Sequence, residues 1–195
     1  MITIPVDAHL LTLTITTYKI VERPVRVGRE TRMQRERIEA KDEFPTRRSA
    51  ASLRLSFMEA NKSFAAAGIE FQLRNVSSES AEAPKGSDAL DDEGFLMLAK
   101  QFPMSDAVSL LLVRRFGGKE GGASKKELGV CAVGDVASAA ALAHEFGHLL
   151  ELEHQGDIRD LMNPSLSPDG TPLTAPEMET ARRSKLATRF GARPT

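Results

Sequence analysis

Cysteine is nearly absent: Cys131 stands alone in 195 residues, which excludes an internal disulfide and any metal site built on paired thiolates. Tryptophan is missing, Tyr18 is the sole tyrosine and aromatic residues make up 5% of the chain. A stacking platform for bases or sugars would therefore have to be made from phenylalanine, and the composition argues against such a binder. An excess of one charge is absent too. Against 27 Asp plus Glu stand 26 Lys plus Arg, a formal charge of −1, so there is no global attraction to nucleic acid or an anionic membrane, and neither is expected as a partner. No stretch reaches the roughly 18 apolar residues of a membrane span. The opening Met-Ile-Thr-Ile-Pro-Val-Asp carries Asp7 where a signal peptide places Lys or Arg, so the chain is expected in the cytoplasm or exported without a cleaved signal. What is present, 41% hydrophobic and 27% charged residues, suits one folded domain over residues 1–195.

Residues 9–20 alternate apolar side chains with threonine and predict a first, half-buried strand. Residues 21–48 dissolve into charge, with Arg23, Arg26, Arg29, Arg32 and Arg35 spaced by three among glutamates, and read as an exposed ribbon or loop. From Thr46 a helix is expected, with Ala50, Leu53, Phe57, Ala60 and Phe64 on one face and Gly68 as its end. Residues 69–76 alternate again as a second strand, 77–92 read as a surface loop and 93–100 as a short helix. The apolar run within 106–115 predicts a central strand covered on both faces. Residues 116–126, with four Gly and three Lys, are expected as a loop or edge strand. Residues 128–134 form another strand, and an alanine-rich helix follows from Ala137.

That helix holds the chemistry. The run His144-Glu145-Phe146-Gly147-His148 places two imidazoles one turn apart on one helical face, the spacing at which both reach a single ion, with Glu145 beside the first, able to reach a water at that ion. Adding His154 gives three neutral nitrogens with a fourth position open, the arrangement of a catalytic zinc. These are three of the four histidines in the chain. A chance His-Glu-x-x-His string would account for the pair alone, but it leaves unexplained both His154 and the turn-like Asp160-Leu161-Met162-Asn163-Pro164 that follows. Asp157 and Asp160 read as ordinary turn residues, and Cys131 as a buried strand residue.

With those residues in place, the chain resembles the metzincin clan of zinc metallopeptidases, whose signature is H-E-x-x-H-x-x-G-x-x-H followed by a Met-turn. The resemblance is strongest over about residues 128–164. It implies His144, His148 and His154 as zinc ligands, Glu145 as general base and Met162 as a hydrophobic floor. It also implies an α+β fold: a twisted mixed sheet, two main helices above the zinc and a small C-terminal helical lobe. The upper lobe would take residues 1–152, the lower lobe 153–195, and the charged segment at 21–45 would be an insertion. The implied activity is zinc-dependent endopeptidase, its peptide or protein substrate lying extended along an edge strand within 116–126. The alternative is a zinc-binding interaction protein without catalysis.

Two departures from the signature matter. Glu151 stands where the family has a glycine that turns the chain sharply out of the helix. Either Glu151 adopts the left-handed conformation itself, or the helix runs on and takes His154 away. Pro164 follows Met162 by two, where some branches of the clan place a tyrosine ligand. Beyond these, Thr174-Ala175-Pro176-Glu177 is a capping box, opening a last helix expected to run to Gly191.

Overall fold

The computed structural model describes residues 1–27, 30–84, 87–117, 121–165 and 172–191. It begins with a very long strand β1 (Ile2–Val27), which pairs antiparallel with β2 (Glu30–Pro45) from Thr12↔Pro45 to Val27↔Glu30. The charged segment is thus a two-stranded ribbon projecting from the sheet, with cross-strand pairs such as Arg35–Glu22 and Arg23–Glu36 along it; Arg29 lies outside the described residues.

Helix α1 (Ala50–Phe64) is opened by a capping box between Ser49 and Ser52 and ends through a 3₁₀ turn, Ala65–Ala67, at Gly68 with φ 67°. Strand β3 (Ile69–Glu82) returns parallel to β1. Its second half, from Ser77 on, is expected as loop but is instead ordered by that pairing, from His9↔Ser77 to Thr14↔Glu82. Partners across a ladder override a composition of Ser, Glu and Ala that is poor in strand formers. A two-residue strand β4 (Ala89–Leu90) and helix α2 (Asp92–Ala99) precede β5 (Val108–Val113), which is buried at every position.

After β6 (Arg115–Phe116), which pairs with β4, come the edge strand β7 (Gly122–Lys125) and β8 (Val130–Gly134). Residues 118–120 of the expected glycine-rich segment lie outside the described residues. Strand β7 runs antiparallel to β8, while β8, β5 and β1 are mutually parallel. The sheet therefore reads β3-β1-β5-β8-β7, with β2 continuing along β1 beyond β5. Helix α3 (Ala139–Leu149) follows β8, and the chain closes with α4 (Ala175–Arg183) and α5 (Lys185–Gly191). The single last helix expected from the sequence is broken at Ser184, where ψ of 152° leaves the helical region and the hydroxyl accepts the Ala187 N–H to start α5.

The alternation along β5 explains the layering. Val108, Leu110 and Leu112 face α1 and α3, whereas Leu111 and Val113 face α2 and Leu90. Both faces are covered, as a parallel core requires, so the fold is a mixed α/β sheet with five α-helices among the described residues. None of them is long and apolar enough to cross a membrane.

Candidate metal centre

Helix α3 is fixed first by packing. Ser138 caps it by accepting the Ala141 N–H, and Phe146 stacks on Phe71 with centroids 4.0 Å apart while meeting Phe57 edge-on at 5.4 Å. With that face locked into the core, His144 and His148 rise on another, His144 fully buried and His148 half-buried. The helix then stops in a Schellman motif: the Glu151 N–H bonds to His148 O and the Leu152 N–H to Gly147 O, both at 3.0 Å. Glu151 occupies the left-handed position, φ 65°. The chain thus turns where the signature has glycine, at a conformational cost of about 1 kcal/mol for a residue with a Cβ.

The turn brings His154 back to the helix. The three Nε2 atoms lie 3.1 Å (His144–His148), 3.1 Å (His148–His154) and 3.3 Å (His144–His154) apart. The other ring nitrogens of the first two are committed: His144 Nδ1 donates to Leu161 O at 2.8 Å and His148 Nδ1 to Leu152 O at 2.9 Å. A carbonyl can only accept, so both Nδ1 atoms carry a proton, and in the neutral rings both Nε2 atoms present lone pairs to one another. Two lone pairs at 3.1 Å repel unless a cation lies between them. Tetrahedral ligands at zinc–nitrogen distances of about 2.0–2.1 Å are separated by about 3.3 Å, close to what the triad shows. Burial, reinforced by the neighbouring histidines and opposed by the Leu152 carbonyl, pushes the His148 pKa down to about 4. The ring is therefore neutral at pH 7, the form that binds a metal. The three histidines are placed to hold a metal ion, and an all-imidazole set fits zinc.

Glu145 is buried and, with His148, lines a cleft of about 320 Å³ whose other walls include Ala123, Ser124 and Lys125 of β7. The edge strand approaches Glu145 closely because residue 122 is glycine: a Cβ there would stand 2.8 Å from Ala132 O and 3.0 Å from Cγ and Oε1 of Glu145. Beneath the carboxylate, burial and the Glu145 charge push the Cys131 thiol pKa well up, so it stays a protonated core residue.

Met162 is fully buried, with its sulfur against the backbone of Gly147, where a Cβ would collide with it. Its turn is held by Asp160, which accepts the Met162 N–H at 2.7 Å, and by the Gln155 N–H donating to Met162 O at 3.0 Å. Asp157 accepts from the Arg159 backbone and side chain, so both aspartates do turn work. The groups that orient His144 and His148 are backbone carbonyls, for which no side-chain signal exists in the sequence. The fourth histidine, His9, is not part of this cluster; it is hydrogen-bonded to Ser77 and tilted over Phe102.

No family model matches the chain, and no curated protein matches it in sequence. Among solved structures, it is similar to a zinc-dependent peptidase from Methanocorpusculum labreanum (strain Z), at 15% identity and a TM-score of 0.37, covering 68% of this chain and 90% of that one.

Proposed function

We propose that this chain is a zinc-dependent endopeptidase of metzincin type, a single catalytic domain acting on peptide or protein substrates. The observation that carries the reading is the convergence of His144, His148 and His154 through Nε2, with two Nδ1 protons tied to carbonyls and a buried glutamate lining the same cleft. Those three nitrogens would hold the zinc. When bound, zinc supplies Lewis acidity, which polarises a peptide carbonyl and brings the pKa of water toward 7. Glu145 takes the proton from the attacking water on its carboxylate and returns it to the leaving amine, base and acid in turn. Met162, packed under Gly147, gives the histidine-bearing helix an apolar floor. Strand β7 pairs with β8 on one side only among the described residues, which leaves its outer edge for an extended peptide to join.

Replacing Glu145 with alanine tests the reading. E145A is expected to bind one zinc per chain and to lose cleavage of an unfolded, casein-type substrate, while the wild type cleaves and is stopped by a chelator. Cleavage by E145A at the wild-type rate refutes the base assignment. A wild-type chain that binds zinc and cleaves no unfolded protein supports the interaction-protein alternative.

A further inference from the structure

The turn between the second and third histidines does more than change direction. Its left-handed residue is not glycine but Glu151, and the side chain has a specific partner: Oε1 accepts the backbone N–H of Lys185 at 3.1 Å. Lys185 opens α5. The first N–H groups of a helix have no acceptor within it, and that end of a helix favours a carboxylate. Helix α5 is itself anchored, with Leu186 and Ala187 in the main core. On the other side of the turn, the Leu152 carbonyl orients His148 and His154 follows two residues later. One side chain therefore links the core-anchored C-terminal helix to the segment that sets two of the three imidazoles.

We propose that Glu151 is a positioning residue of the metal centre, its carboxylate tethering the ligand-bearing turn to the first N–H of α5. The proposal rests on the reading of the triad as a metal site. It explains why a strained glutamate replaces the relaxed glycine of the signature: the tether requires a side chain.

Two substitutions cut the tether from opposite ends. Glu151→Gly removes the carboxylate while giving the turn its preferred residue, so a loss in that variant cannot come from the turn's own conformation. Lys185→Pro removes the N–H at a helix position that proline favours, and Ser184, at φ −56° and ψ 152°, already has the backbone of a residue preceding proline. Zinc affinity is measured by competition with a chromophoric chelator, and the ligand field by the visible spectrum with Co²⁺.

E151G and K185P are each expected to weaken zinc binding by about tenfold or more and to alter the cobalt spectrum. E151Q, whose amide oxygen still accepts, stays within about threefold, and the double variant is no worse than either single one. A structural role alone would shift the unfolding midpoint and leave the cobalt spectrum unchanged. Wild-type affinity and spectrum in E151G and K185P overturn the proposal; if one variant does not fold, the other decides. A wild-type chain that takes up neither zinc nor cobalt refutes the metal-site reading itself, and the positioning role with it.

Discussion

Gly122→Ala is a small change with a sharp expected consequence. Alanine in place of glycine within a strand ordinarily stabilises by about 0.5–1 kcal/mol. At this buried position the added methyl would sit 2.8 Å from the Ala132 carbonyl oxygen and 3.0 Å from Glu145. The carbonyl belongs to β8, which is held between β5 and β7 by pairing on both sides, so β7 must lift or the glutamate must move. Overpacking of this kind costs about 1–3 kcal/mol, leaving a net destabilisation of about 0–2.5 kcal/mol once the ordinary gain is subtracted. The histidines are untouched, so zinc stoichiometry is expected to hold. Displacing a proton-transfer group by a fraction of an ångström to 1 Å lowers turnover by about 10–100-fold. Urea denaturation, zinc analysis and casein cleavage on the same preparation read all three. A G122A protein that is more stable than wild type and cleaves at the wild-type rate would refute the close approach of β7 to Glu145.

Phe146→Ala, which removes a fully buried ring stacked on Phe71 and edged by Phe57, is expected to cost about 3–5 kcal/mol in denaturant unfolding; a loss under about 1 kcal/mol would contradict the packing that fixes α3. The zinc-free protein should lose stability as the pH falls from about 6.5 toward 4. The unfolded chain takes a proton on His148 in that window while the folded one, with its pKa pushed down to about 4, does not. Denaturation of the zinc-free protein at pH 7.5, 5.5 and 4.5 checks this, and the H148Q variant should show a shallower decline; equal slopes would refute the burial argument.

The elements that the sequence announced are those where local pattern and tertiary environment agree. The apolar run of β5 is buried throughout, and Leu53, Phe57, Ala60 and Phe64 of α1 face the core at the spacing a helix demands. His144, Glu145 and His148 stand out because few histidines occur elsewhere. The ribbon of β1 and β2 was legible only as something exposed, because strand pairing between charged residues leaves no apolar period to read. The second half of β3 was hidden for a related reason: residues 77–82 are ordered by their register with β1, a non-local fact. Around the histidines, the Leu152 and Leu161 carbonyls leave no trace in residue identity. Glu151 posed a question the sequence could frame but not answer. Its left-handed φ and its bond to Lys185, 34 residues away, depend on how the C-terminal helix docks.

The most direct test of the central claim is X-ray absorption at the zinc edge of the reconstituted protein, with zinc content measured on the same sample. One zinc per chain, surrounded by three imidazole nitrogens at about 2.0–2.1 Å and one further light atom, is the predicted result, falling to two imidazoles or to no bound zinc when His154 is replaced by alanine. Failure to bind zinc, or an imidazole count that does not change in H154A, would contradict the assignment of His144, His148 and His154 as a metal centre.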